Sequence, residues 1–358
     1  MALPEHRKQR NWGPRVNDIV WHGIPTVVME NELLRVSILA GKGSDIIELL
    51  YKPRDLDFTW LTPGGIRNPL AYLPSSPDRE PFSEFYPGGW QELFPHGGVP
   101  GESNGTTFGQ HAEVYALPWD TGLVRDDESG VSVRFTVFGH RTPVRIAKTI
   151  HLDAGSPGIR LEETLTNLSG QPVRAMWGHH ITFGEPFMTP GTRLTVPDGL
   201  TLLAHPFAYM AERRIDADAD LAWPVTPGAD GSPLDLSIVP ERGTPSEMLY
   251  LTGFPDERAW YHVEDPSTGM GATVRWDAGQ MPYLWYWQEF GGGKQYPWYG
   301  DAYVIGLEPF SSMPANAFPD AGENPTSFTL APHEARSFWL SWEVTDADRD
   351  ASGGSGNG

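Results

Sequence analysis

Cysteine is absent from the 358 residues, so disulfides and thiolate zinc sites are excluded and a reducing compartment is the natural setting. Positive charge is scarce. Lys and Arg number 26 against 46 Asp and Glu, a formal net charge of −20, which repels nucleic-acid backbones and anionic membrane surfaces. Long apolar runs are missing as well. No window approaches bilayer-spanning length, and the opening MALPEHRKQRNWGPR has no apolar core of signal-peptide length. The expectation is a soluble, cytoplasmic protein, monomer or homodimer, with neither nucleic acid nor membrane as partner. Several chemical signatures are also lacking: the G-x-x-x-x-G-K-[ST] phosphate loop, a strand-linked G-x-G-x-x-G, the G-x-S-x-G elbow and H-E-x-x-H. Nucleotide, serine-hydrolase and zincin chemistry lose ground accordingly.

Turn formers and aromatics are abundant. Forty Gly and 34 Pro punctuate the chain too often for long helices and suit many short strands. Fourteen Trp, 12 Tyr and 16 Phe supply β-propensity and core area, and aromatic faces also serve as platforms for sugar rings. Period-two runs predict strands at Pro25 to Glu30, Leu33 to Leu39, Ser132 to Phe138, Ile159 to Leu165 and Ala272 to Trp276. Turn clusters at 153–157, 167–170, 228–231 and 266–269 separate them. Nothing alternates strand with helix, so the class is all-β, a sandwich or barrel. With no internal linker, residues 1–345 read as one domain and 346–358 (DADRDASGGSGNG) as a flexible acidic and Gly/Ser-rich tail. The loop-like stretch Asp216 to Pro240 is expected as an insertion over the site.

Four segments concentrate His, Glu, Gln and Trp. In Gly88 to Gly98 (GGWQELFPHGG), glycines permit close backbone approach while Gln91, Glu92 and His96 offer polar contacts. A ligand loop and a plain glycine-rich connector are both open readings. In Phe108 to Val114 (FGQHAEV), His111 and Glu113 alternate along a predicted strand and so face one side. That pair could ligate a metal or simply be salt-bridged. In Trp177 to Pro186 (WGHHITFGEP), adjacent His179 and His180 on extended chain must point to opposite faces. In Val304 to Pro314 (VIGLEPFSSMP), Glu308 ends an apolar strand, where a carboxylate is functional or held by an Arg. Upstream, Tyr283 to Glu289 (YLWYWQE) alternates Tyr283, Trp285 and Trp287, a sugar-stacking wall or core filling, with Gln288 as a further polar candidate.

These motifs, in this order, resemble the aldose 1-epimerase (galactose mutarotase-like) superfamily, in a divergent branch. The segments 30–41 and 45–50 look like its opening strands. His111 stands where the family has its first active-site histidine, His180-Ile-Thr-Phe183 is similar to its H-x-x-F histidine pattern, and Glu308 to Asn316 resembles its glutamate segment. The resemblance implies a large antiparallel β-sandwich, the galactose mutarotase-like supersandwich, binding a small-molecule sugar. It makes Glu308 the base on the anomeric hydroxyl, His180 the acid at the ring oxygen and His111 a helper at that oxygen, with no metal or organic cofactor. Arg67 is the candidate for the family's sugar-holding arginine, and Gln91, His96, Glu113, Trp285, Trp287 and Gln288 complete the expected substrate contacts. One alternative is metal-assisted lyase or isomerase chemistry drawing on His96, His111, Glu113, His179 and Glu308. Another is a non-catalytic carbohydrate-binding protein.

Overall fold

A computed structural model describes residues 12–71, 81–103, 105–209, 212–255, 258–317 and 324–349. Alternation of apolar and polar residues resolves into two large antiparallel sheets stacked face to face. In hydrogen-bonded order the first contains Arg15–Trp21, Ile24–Glu30, Leu34–Leu39, Asp45–Tyr51, Trp90–Leu93, Gly178–Gly184, Tyr303–Phe310, Tyr283–Phe290, Thr244–Thr252 and Thr201–Ala204, with the short Leu56–Asp57 added to Asp45–Tyr51. The second runs Arg193–Thr195, Ala259–Asp265, Met270–Trp276, Ala335–Asp346, Gly158–Asn167, Val144–Asp153, Gly130–Phe138 and Asp120–Asp127. All five predicted strands are present within a residue or two at most ends, and the turns at 153–157, 228–231 and 266–269 close hairpins. No described helix is long and apolar enough to cross a membrane.

Strand parity creates two separate interiors. Along Tyr283–Phe290, Leu284, Tyr286 and Phe290 enter the core between the sheets, joined there by Leu249, Leu251, Ile305 and Leu307. The alternate residues Trp285 and Trp287, with Met248, Tyr250, Val304 and Phe310, form a second cluster outside that core. Loops carrying Trp60, Phe82, Tyr86 and Tyr115 fold over this outer face and bury it. The first sheet is therefore covered on both sides, which explains why Gly178–Gly184 and Tyr303–Phe310 are buried along their whole length rather than alternating.

Two boundaries differ from the sequence reading. The segment from Asp216 to Pro240 lies against the main core: Leu221, Trp223 and Leu234 pack on it, and the Tyr286 hydroxyl donates to Leu236 O at 3.1 Å. It is therefore no cover for the site. At the other end, β-structure continues through Asp346, and Arg54 holds both Asp346 (2.8 Å) and Asp348 (2.7 Å). The expected tail from residue 350 onward lies outside the described residues.

Candidate functional site

On the outer face of the first sheet lies a cavity of about 470 Å³. Its floor comes from four neighbouring strands. The pairings Gly178↔Phe310 and Thr182↔Gly306 set His180 across from Glu308. Glu308 in turn pairs with Trp285, and Trp287 with Met248. Period-two geometry then aims His180, Glu308, Trp285, Trp287 and Met248 into one space.

His180 Nε2 lies 3.6 Å from Glu308 Oε1. On the other side of the ring, His180 Nδ1 faces the Tyr86 hydroxyl at 3.4 Å, so the two ring nitrogens are divided between the tyrosine and the carboxylate. Both groups are almost wholly buried, at 8% and 2% side-chain exposure. Burial opposes charge on each: it drives Glu308 well above the usual carboxylate range and His180 down to about 4. Burial thus favours the arrangement in which Glu308 holds a proton and His180 is neutral.

His111 is the third polar member. Its ring centroid is 5.8 Å from that of His180, and Phe82 meets it edge-on at 4.3 Å. Burial, then the nearby His180 and His96, keeps it neutral well below the ordinary histidine range. Its Nδ1 is buried without a hydrogen-bond partner, as is Asn316 Oδ1, and both residues line the cavity. Unpaired buried polar atoms are costly, and a hydroxyl-bearing ligand would satisfy them. The walls are aromatic. Tyr86 stacks on Phe82 at 4.8 Å, and Trp298 closes on Trp287 at 5.5 Å.

Of the ten residues singled out from sequence, the cavity gathers His111, His180, Trp285, Trp287 and Glu308. The other five are elsewhere. Arg67 is exposed and donates to Glu84 O at 3.3 Å. Gln91 shares His180's face by register but spends its amide on Gly88 O. The His96 ring faces Gly109 O at 3.0 Å and accepts from the Gly98 amide, and burial lowers its pKa to about 4. Gln288 alternates with Trp287, faces the other side, and accepts from Arg214. Glu113 does not share a strand face with His111. The chain there turns, with His111 at φ 56°, and the Glu113 carboxylate instead accepts the amides of His140, Arg141 and Thr142 at 2.9 to 3.0 Å.

The alternative metal set is likewise not assembled. His179 faces the core between the sheets, where Trp90 Nε1 donates to its Nδ1 at 3.1 Å, its ring stacks on Phe338, and Nε2 lies 3.3 Å from Glu163 Oε2. Among the described residues no group of three or more His, Cys, Asp or Glu is disposed to hold a metal ion.

Sequence reasoning missed Tyr86, Phe82, Trp298, His205 and Asn316. The run Phe82 to Trp90 (FSEFYPGGW) carried an aromatic signal just ahead of the glycine-rich segment. His205, whose Nδ1 meets the Tyr250 hydroxyl at 2.6 Å, had no local signal.

No curated protein matches the chain. Among solved structures, a candidate aldose 1-epimerase from Klebsiella pneumoniae superposes with a TM-score of 0.75 at 16% identity, covering 94% of this chain and 85% of that one. A galactose mutarotase-like protein from Lactobacillus casei gives 0.60 at 19% identity, covering 89% and 100%. A candidate aldose 1-epimerase from Escherichia coli K12 gives 0.56 at 15%, covering 93% and 100%. Likeness at these identities establishes the fold, a divergent galactose mutarotase-like sandwich. The family described as Domain of unknown function (DUF4432) matches residues 21–214, more than half of the chain, and the chain belongs to that family.

Proposed function

We propose that the chain is an enzyme interconverting the anomers of an aldose by acid–base ring opening, in the manner of an aldose 1-epimerase. The observation that carries this reading is the meeting of His180 and Glu308 at 3.6 Å on the floor of an aromatic-walled cavity.

Hemiacetal opening needs one proton removed and another delivered on the same ring, by groups able to hold either charge state. The pair has one proton to deploy. Moving it from Glu308 to His180 creates a carboxylate base beside an imidazolium acid. The carboxylate takes the anomeric hydroxyl proton as the bond from C1 to the ring oxygen breaks, and His180 delivers its proton to that oxygen. The product is the open-chain aldehyde, with Glu308 protonated and His180 neutral, the distribution that burial already favours. Rotation about C1–C2 presents the other aldehyde face, and the reverse transfers close the opposite anomer. Each such contact contributes ~10²–10⁴-fold. Tyr86 orients the His180 ring through Nδ1, so that the Nε2 lone pair faces the proton on Glu308, and neutral His111 offers its unpaired Nδ1 to a sugar oxygen.

Polarimetry of freshly dissolved α-aldoses tests the reading. Wild-type protein is expected to speed the relaxation of optical rotation, and Glu308→Gln to lose at least about 10²-fold of that acceleration. A panel of common aldoses and their disaccharides with no acceleration would overturn it.

A further inference from the structure

We infer that the cavity is shaped for the reducing end of an uncharged oligosaccharide rather than for a free monosaccharide, a second sugar ring resting on an exposed aromatic rim formed by Phe207 and Tyr296; the inference rests on the sugar-binding part of the reading above.

Size is the first argument. A hexose has roughly 12 non-hydrogen atoms and, packed as densely as a protein interior, fills on the order of 200 Å³. The cavity offers about 470 Å³. The cavity also reaches one strand beyond its four-strand floor. From the strand of His180 to that preceding His205, both residues lining the cavity, there are four strand-to-strand steps, roughly 19 Å at about 4.8 Å each. One ring held at His180 and Glu308 leaves the His205 end empty.

The rim is the second argument. Phe207 and Tyr296 line the cavity yet are 63% and 55% exposed. Large aromatics concentrated around one opening mark a contact surface for a ligand. They also continue the inner wall. Trp287 on the floor packs on Trp298 at 5.5 Å, and Tyr296 stands two residues before Trp298 at the mouth. Elsewhere on the lining Phe207 meets His205 edge-on at 6.2 Å. Flat aromatic faces with a polar handle suit the alternating apolar and hydroxylated faces of a pyranose.

Polarity is the third. Asn316 Oδ1 is buried without a partner on the same lining, an acceptor ready for a hydroxyl. Among the described lining residues none is Lys or Arg, so nothing there balances a phosphate or carboxylate beside the buried Glu308.

Two readouts keep the substrate class separable from the catalytic reading. Binding of glucose, mannose and xylose, each against disaccharides ending in the same sugar (maltose and cellobiose, mannobiose, xylobiose), is followed by tryptophan fluorescence on wild type and on Glu308→Gln. Turnover of the same sugars is followed by polarimetry. The disaccharides are expected to bind about tenfold or more tighter than the matched monosaccharide. Phe207→Ala and Tyr296→Ala are each expected to cut that ratio by about threefold to tenfold. Tighter disaccharide binding without turnover would sink the epimerase chemistry and leave this inference standing. Equal or weaker disaccharide binding, or a ratio unmoved by both rim variants, overturns it. Mutarotation of monosaccharides with that binding result leaves the catalytic reading intact. No binding by any sugar overturns both.

Discussion

A side chain on Gly306 would collide with Glu308: a Cβ built there lies 2.6 Å from Glu308 Oε1 and 3.1 Å from the Trp287 ring. The two residues are two apart on one strand and so share a face, and the missing side chain leaves the room in which the carboxylate turns towards His180. The colliding atom is the far end of a flexible side chain, so the fold should accommodate a methyl group by moving the carboxylate. Gly306→Ala is expected to retain the wild-type circular dichroism and lose about 10²-fold in turnover, since displacing a reacting group by ~1 Å costs that much. Wild-type turnover in a folded Gly306→Ala protein would show that the carboxylate position does not matter.

Glu308 also links stability to pH. In the unfolded chain its carboxyl titrates near 4.5 and His180 near 6.5, whereas burial raises the first and lowers the second to about 4 in the fold. While the raised carboxyl stays protonated the native pair keeps one proton that the unfolded pair loses above 6.5, so the pair's contribution falls as pH rises from there. Below 4.5 the unfolded state binds two protons against about one, and the contribution falls again. Glu308→Gln removes the alkaline arm. Urea midpoints should be nearly equal for wild type and Glu308→Gln at pH 4.5, with the variant increasingly more stable towards pH 9. A difference independent of pH would mean that Glu308 is ionised in the native protein with no raised pKa.

The alternation that made this architecture legible also limits what sequence can reveal. Period two was enough to predict Ser132 to Phe138 as a strand, to send His179 and His180 to opposite faces, and to put Glu308 on a buried strand, which runs on through Pro309 to Phe310 rather than ending at the glutamate. It failed where the chain leaves the extended state. His111 at φ 56° breaks the parity on which pairing it with Glu113 depended, and the carboxylate is used to close a turn at 140–142 instead. Parity also says nothing about competition for hydrogen bonds. Gln91 lies on His180's face, yet its donor is consumed by Gly88 O. Tyr86, Trp298 and His205 come from loops that only tertiary assembly brings together, so no local spacing announces them.

Between the sheets, behind the site, lies a buried ionic cluster that the chemistry does not use. Lys148 Nζ is 3.0 Å from Glu92 Oε2, with side-chain exposures of 3% and 0%. Trp177 Nε1 donates to the other Glu92 oxygen at 2.9 Å, and the Lys148 ammonium sits 4.8 Å from the Trp119 ring centroid. Burial, with the nearby Glu163 charge, raises the Glu92 pKa, and Lys148 opposes that rise. Removing the lysine alone leaves a carboxylate with no compensating cation in the core, which in buried pairs costs about 3–5 kcal/mol. Lys148→Met should therefore be strongly destabilised in urea denaturation at pH 7. Adding Glu92→Gln keeps an acceptor for Trp177 while removing the charge, and is expected to restore most of the loss. If the double variant is no more stable than Lys148→Met, the lysine acts through the packing of its alkyl chain and its contact with Trp119 rather than as the counter-charge of Glu92.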